Sequence, residues 1–424
     1  MNSKIGKNLL KNMKKDVLII GGGITGLSLC WELACLGIES ILVEKAPYLG
    51  GHVSQFACKA TQTCQRCGAC VLEDYLSKLS NTGLFELHLN STIGSFSQIG
   101  KKFSSVVSHK RSQIINERCD DCNLCSKVCP VEGALVRPSF DSKLYISNEK
   151  CLNSIGIHCE ACAQICPQGA IEFGEKTKEI QIEASAVAIC TGFTPFDATK
   201  KPRFGYQRIP GVLTTLELDS LLRTDNFEPA ASADGLKSVA FIQCVGSRDP
   251  KLGANYCSRI CCGVSIRLAR LLKNRYPEIR LSIFYMDIQT FEREFDKTLD
   301  QAQNEITFIR AIPSEIRASE NNRPEVIYNG DDDLKQITPF DLVILSVGIA
   351  PRDPDLPKSF PALWQNRDGF IGADENDVTA GHPGVFVAGA AQGPKSIADC
   401  ISQSILAASR IKEYLDRAKM GEKL

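Results

Sequence analysis

Twenty cysteines occur in this chain of 424 residues, and sixteen of them fall into four groups of four. The groups are Cys58, Cys64, Cys67 and Cys70; Cys119, Cys122, Cys125 and Cys129; Cys151, Cys159, Cys162 and Cys166; and Cys244, Cys257, Cys261 and Cys262. Sixteen thiolates are what four cysteine-ligated iron-sulfur cubanes require. The first residues, MNSKIGKNLLKNMKKDVLII, are basic but pass directly into a strand and a glycine loop, without the apolar stretch and cleavage site of a secretory leader. A cytoplasmic protein is therefore expected, and in that reducing compartment grouped thiols are metal ligands rather than disulfides. Four-cysteine zinc sites also use Cys-x2-Cys, so zinc stands as the alternative at Cys58–Cys70 and at Cys244–Cys262. Cys30, Cys35, Cys190 and Cys400 stand alone among apolar or small residues and are expected to fill the core.

Two of the groups form an internal repeat within 114–174: Cys119-x2-Cys122-x2-Cys125-x3-Cys129-Pro130, then Cys151-x7-Cys159-x2-Cys162-x3-Cys166-Pro167. Each proline prevents the ligand loop from continuing as helix. The repeat resembles a bacterial two-cluster ferredoxin. That resemblance implies one cluster on Cys119, Cys122, Cys125 and Cys166, and a second on Cys159, Cys162, Cys129 and Cys151. Cys151 departs from the pattern by five residues, because the usual first position of the second run falls on Gly156. The last group, Cys244-x12-Cys257-x3-Cys261-Cys262, directly follows the apolar run Val239–Ile242, which reads as a buried strand. A two-dinucleotide flavoenzyme would carry glycines there for a nicotinamide pyrophosphate. Gln243-Cys244-Val245-Gly246-Ser247-Arg248 cannot be read as G-x-G-x-x-G, and no arginine pair follows Tyr285 to hold a 2′-phosphate, so no nicotinamide site is expected.

These groups need a scaffold, and the first part of the chain supplies a βαβ unit. Asp16–Ile20 reads as a strand, Gly21-Gly22-Gly23-Ile24-Thr25-Gly26 as the turn, and a helix runs to Leu36 before the strand Ser40–Val43. Gly21 makes the tight turn, Gly23 lets backbone amides approach a pyrophosphate, and Gly26 lets the helix pack on the strand; Glu44 is placed to accept the ribose hydroxyls. The alternative is a glycine-rich turn in an ordinary α/β core. Gly50-Gly51-His52, soon after Glu44-Lys45, resembles the FAD site of flavoprotein disulfide reductases and amine oxidases. Gly384–Gly393, followed by a helix from about 396 to 414, resembles the C-terminal FAD motif of thioredoxin-reductase-like enzymes. The resemblance implies contacts to FAD from Lys45, Gly51, His52, Gly389, Ala390, Gln392, Lys395 and Ile397, with Ala390 standing where the family usually has Asp. Ala186–Gly192, ending in Thr191-Gly192, matches the same domain, and Ile344–Gly348 is its counterpart in the second half. Lys395 is a candidate to stabilise a reduced, anionic flavin, against the plainer reading of a solvated lysine.

Taken together, the FAD fold, the inserted ferredoxin repeat and QCVGSRD…YCSRICC resemble the A subunit of heterodisulfide reductase. They are also similar to the related A subunit of the quinone-interacting membrane-bound oxidoreductase. The resemblance implies an α/β fold: a thioredoxin-reductase-like two-dinucleotide-fold flavoprotein with an inserted two-[4Fe-4S] ferredoxin-like domain. The expected organisation is FAD domain over 15–113, insert over 114–174, FAD domain and connector over 175–236, a degenerate NAD-like domain over 237–335, and FAD domain again over 336–424. Cys244, Cys257, Cys261 and Cys262 are implied to hold a [4Fe-4S] cluster near the flavin, and His52 stands where the family commonly has Arg. The implied function is electron transfer between paired and single electrons, with electron bifurcation as one mode. The implied partners are other redox subunits of such a complex, with ferredoxin, hydrogenase or membrane quinone-linked proteins as candidates and a homodimer within the complex. No catalytic acid–base pair or nucleophile can be named. Zero net charge gives no footprint for nucleic acid, and no apolar run approaches the roughly 18–20 residues that span a bilayer. Two rival functions are an NAD(P)H-dependent ferredoxin-type oxidoreductase resembling the small subunit of glutamate synthase, and a zinc-bearing assembly scaffold.

Overall fold

The computed structural model describes residues 12–110, 112–137, 144–147, 150–174, 177–223, 227, 235–289, 291, 295–373 and 377–421. The basic leader before residue 12, and Pro229 of the connector, lie outside the described residues.

The apolar run Val17–Ile20 is buried throughout, as a parallel strand covered on both faces must be. It closes β1 (Asn12–Ile20), which is followed by α1 (Ile24–Cys35), β2 (Ser40–Val43), α2 (Val71–Ser80), β3 (Phe85–His88) and the antiparallel pair β4 (Ser91–Ile99) and β5 (Lys102–Lys110). The insert is small: α3 (Leu124–Val128), β6 (Leu135–Val136), β7 (Tyr145–Ile146) and α4 (Ala161–Ile165), around Ile114, Ala134, Leu144, Ile146 and Ile171. The chain returns as β8 (Thr177–Ile189), one continuous strand. Continuity has a reason. The first part of β8 pairs antiparallel with β5 and its last part pairs parallel with β1, so one strand carries the sheet from the rim of the insert into the core.

After β9 (Thr194–Pro195) the second unit forms from β10 (Val212–Thr214), α5 (Thr215–Arg223), β11 (Ser238–Val245), α6 (Cys261–Arg275), β12 (Arg280–Phe284), α7 (Phe295–Gln303) and β13 (Thr307–Ile309). The antiparallel strands β14 (Glu315–Ala318), β15 (Pro324–Asn329) and β16 (Lys335–Pro339) precede β17 (Leu342–Val347) and β18 (Ile349–Ala350). Its parallel sheet runs β10-β17-β11-β12-β13, so it draws strands from either side of the 237–335 span expected for it. One face packs on α5, α6 and α7 through Phe241 and Ile283; the other packs Ile242 and Phe284 against Ile316 and Val326 of the antiparallel sheet. The chain then crosses back as β19 (Val385–Val387), which joins β8, and α8 (Ile397–Lys419). The first sheet runs β3-β2-β1-β8-β5-β4, with β19 beside β8. Among the described residues no helix is long and apolar enough to cross a membrane.

The units meet through the loop 56–70. Lys59 Nζ lies 2.8 and 2.7 Å from the two carboxylate oxygens of Asp219 on α5, and both side chains are under 5% exposed, at 4% and 3%. The Ala57 amide also donates to Asp219, at 2.8 Å, and Arg223 donates to the Phe56 carbonyl at 2.7 Å. From α6, Arg267 donates to the Gln65 carbonyl at 2.8 Å and Arg270 to its side-chain oxygen at 2.7 Å. Burial pushes the Asp219 carboxyl up, opposed first by the charge of Lys59. Replacing Lys59→Met strands a buried carboxylate and is expected to cost about 3–5 kcal/mol, whereas Lys59→Met with Asp219→Leu recovers most of it. Urea unfolding of the three proteins measures both effects.

Candidate functional site

A crevice of about 1160 Å³ opens over the carboxyl end of the first sheet. Its floor is the turn after β1. Gly21 has φ +109°, and a Cβ there would sit 2.4 Å from the Cys190 carbonyl oxygen, so the turn admits no side chain. A Cβ on Gly26 would lie 2.0 Å from the Gly21 carbonyl oxygen, which is the close helix–strand packing expected of that position. The first turn of α1 has no side-chain cap, leaving its amides to face an anion. Glu44 is held at the end of β2 by the Gly22 amide at 2.5 Å and the Ala46 amide at 2.7 Å.

Of the residues expected to meet FAD, Gly21, Gly23, Glu44, Lys45, Gly51, His52, Thr191, Gly192, Ala390, Lys395 and Ile397 all line this crevice. Three do not. Gly26 acts through packing; a Cβ on Gly389 would meet Thr25 Oγ1 at 2.1 Å, so it too acts by letting two segments close. Gln392 turns away, its amide donating to the Asp377 carbonyl at 2.7 Å while its oxygen accepts from Lys395 and Gln403. Lys395 is not a solvated lysine: it lines the crevice at the start of α8, and burial pulls its pKa down. A capping box between Ser396 and Asp399 fixes that helix end.

Two buried polar atoms on the crevice wall, His52 Nδ1 and Thr191 Oγ1, have no partner among the described residues. His52 Nε2 lies 3.1 Å from the Phe193 carbonyl oxygen, which can only accept, so Nε2 carries the proton. Burial lowers the His52 pKa, with Arg352 adding to the effect, so the ring is neutral and Nδ1 is an acceptor. Such orphans, a glycine floor without room for a Cβ and an uncapped helix end fit a polar, anionic dinucleotide. Sequence reasoning missed Arg352, which donates to the Thr191 carbonyl at 3.3 Å, and Phe193, whose ring lies 4.5 Å from that of His52; neither sits in a motif.

All twenty cysteines are free. Cys58, Cys64 and Cys67 lie close enough to Cys70 to raise its thiol pKa, after the larger effect of desolvation. Cys64 and Cys67 line the crevice itself, and Gly68 abuts Ile397 of α8. In the insert, Cys119, Cys122, Cys125 and Cys166 share a small cavity with Ile114, Leu144 and Ile171. Cys162 is pushed up to about 11 by burial and by its neighbours Cys151 and Cys129, so Cys151 reaches this group despite its offset in sequence.

Cys244 sits in a bulge of β11 with φ +59°, which turns it out of the strand's register. Burial raises it to about 11, with Cys262 and Cys257 adding to the effect. Cys261 and Cys262 open α6. The amides of Arg259 and Gln289 approach the sulfurs of Cys257 and Cys262 at 3.3 and 3.5 Å. Of the four isolated cysteines, Cys30, Cys190 and Cys400 are buried, but Cys35 is exposed in the last turn of α1, contrary to expectation. Among the described residues, no three His, Cys, Asp or Glu side chains are arranged to hold a single metal ion.

Known proteins agree with this architecture. Residues 16–74 match the family model for FAD dependent oxidoreductases, and 118–170 match that for the 4Fe-4S dicluster domain. The chain is 32% identical over 425 residues to the iron-sulfur A subunit of the CoB–CoM heterodisulfide reductase of Methanocaldococcus jannaschii, covering 94% of this chain and 64% of that protein. It is 31% identical to the A subunit of the H2:CoB-CoM heterodisulfide, ferredoxin reductase of Methanothermobacter marburgensis, covering 93% and 63%. The A subunit of the Ferredoxin/F420H2-dependent CoB-CoM heterodisulfide reductase of Methanosarcina acetivorans is 30% identical, with 96% and 54% covered. The chain thus spans between about half and two thirds of the length of these relatives. Thioredoxin reductases of T. acidophilum and Lactococcus lactis share the fold, with TM-scores of 0.54 and 0.52 at 15% and 13% identity, covering 96% and 95% of this chain and 99% of each of theirs. The fold is therefore thioredoxin-reductase-like with an inserted dicluster domain, and the resemblance to the A subunits of heterodisulfide reductases holds over nearly the whole chain.

Two outcomes follow from the crevice. Gly26→Ala separates α1 from the turn and is expected to weaken FAD retention at least about tenfold, read as flavin content after dialysis. Because His52 has a lowered folded pKa, the unfolded chain binds its proton first. Stability is then lost as pH falls through about 6.5, and His52→Gln removes that part of the slope in urea midpoints measured from pH 7 to 5.

Proposed function

We propose that this chain is the FAD- and [4Fe-4S]-bearing electron-transfer subunit of a heterodisulfide-reductase-like complex, carrying four clusters. The observation that carries the reading is the shared wall: Cys64 and Cys67 line the same crevice as the dinucleotide turn and the start of α8. Residues 21–26, Glu44, Lys45 and the first turn of α8 are suited to hold FAD, and the four cysteine groups to hold the clusters. Bound FAD would exchange electron pairs for single electrons, in a bifurcating mode toward two acceptors, and the clusters would carry single electrons.

The chain's own part is placement and electrostatics. The α1 amides bind phosphate charge, and His52 Nδ1 offers an acceptor where the family commonly offers the donors of Arg. Lys395 brings a half-buried positive charge to the crevice, suited to an anionic ring. The clamp of Lys59, Arg267 and Arg270 holds Cys58–Cys70 against the second unit, two of whose own cysteines, Cys261 and Cys262, open α6. The partners are other redox subunits, as the names of the relatives suggest for those proteins, and free thiols suit a reducing cytoplasm.

Anaerobic metal and flavin analysis of the full chain tests the reading. About sixteen irons per FAD are expected, and Cys64→Ala with Cys67→Ala should remove about four of them. Zinc in place of iron would instead favour the scaffold. Fast, saturable bleaching of the flavin by NADH or NADPH would favour the glutamate-synthase-like oxidoreductase.

A further inference from the structure

A second cavity, of about 440 Å³, opens at the carboxyl ends of β11, β12 and β13, apart from the crevice over the dinucleotide turn. It is not the place a nicotinamide dinucleotide would take beside α6. Ile242 and Phe284, which line it, belong to the face packed against Phe204 and the antiparallel sheet, while Phe241 and Ile283 face α6.

The wall has two characters. Phe204, Phe284, Leu252 and Ile312 give an apolar side, with Leu252 and Ile312 exposed at 38% and 59%. Lys200, Lys201, Arg203, Arg248 and Lys251 give five cations against the single carboxylate of Asp249, a net of +4 for the lining. Lys201 pairs with Asp249 at 2.7 Å, and Arg248 pairs with Asp287 beyond the rim. Gln243 and Ser247 also line the cavity, only 8% and 2% exposed, and both amide atoms of Gln243 and the Ser247 hydroxyl lack a partner among the described residues. Buried polar groups left unpaired are costly, a cost that a polar ligand would relieve. The volume suits a small organic ligand rather than a macromolecular edge, and the carboxyl end of a parallel α/β sheet is where such ligands bind.

We propose that this cavity binds a nucleoside phosphate, with the phosphates on the lysine and arginine rim and the planar base along the apolar side. Cys244 lines the same cavity, so the bound ligand would touch the edge of the last cysteine group.

The test is calorimetric titration of the anaerobic, FAD-replete full chain with ADP, pyrophosphate and adenosine. ADP is expected to bind one per chain and more tightly than either fragment. Lys200→Glu with Lys251→Glu should weaken ADP at least about tenfold, as loss of charge-assisted contacts does, without changing flavin or iron content. Three results would each overturn the assignment: no saturable binding of ADP, binding indifferent to the charge reversal, or release of FAD by ADP. If the reversal instead abolishes binding of an acidic electron-carrier protein while ADP never binds, the rim is a protein-docking surface and the nucleotide reading is wrong.

Discussion

A lysine ammonium and an aspartate carboxylate meet in the interior of this protein, 160 residues apart in sequence, and the relation between its two α/β units rests on them. Taking both ions out of water costs several kcal/mol each, and their attraction offsets that only when the geometry is good and the spare hydrogen-bonding positions are filled. Here they are filled. Asp219 accepts from Lys59 through both oxygens and from the Ala57 amide, and Lys59 also donates to the Ala57 carbonyl at 3.0 Å. Such an arrangement adds little net stability, but it tolerates no sliding. Arg267 and Arg270 fix the far end of the same loop through Gln65, so the stretch that carries Cys58 and Cys64 is tied to the second unit at both ends.

Much of this was legible in the sequence because steric demands leave marks. Gly21 and Gly26 are spaced by the requirement that backbone approach backbone, with hypothetical Cβ contacts at 2.4 and 2.0 Å, and no larger residue hides that signal. The dicluster insert was legible for a similar reason: its cysteines recur at short spacings within 118–170, and short loops are local in sequence. Cys151 shows the limit of the pattern. Its own turn, closed by the Cys151 amide on the Ser147 carbonyl at 2.9 Å, brings it to Cys162 and Cys129 from outside the usual spacing.

What the sequence concealed lies in long-range partners. Lys59 reads as a surface lysine between two cysteine positions until α5 packs on it. Lys395 reads the same way, and only the closed crevice reveals how far it is withdrawn from water. Cys35 failed in the opposite direction. Its apolar neighbours suggested a core site, but the last turn of α1 points it outward, and one-dimensional context cannot distinguish the two sides of a helix end. β8 is continuous because β1 runs along one edge while β5 and then β19 share the other, which is a property of the sheet rather than of the segment.

The start of α6 unites these arguments. A helix N-terminus carries unsatisfied amides and a partial positive charge, and phosphate is one common occupant of such a position. In this chain the first turn holds Cys261 and Cys262, no side chain caps it, and Cys244 is turned toward them by a bulge with a left-handed backbone. Thiolates are anions too, and the same field that would favour a pyrophosphate favours their deprotonated form against the burial that otherwise raises their pKa. If Cys244, Cys257, Cys261 and Cys262 hold the proposed cluster, the fold needs no new electrostatic device to exchange a nicotinamide phosphate for it. It needs the glycines gone, a bulge to aim one cysteine, and two more cysteines where the helix begins.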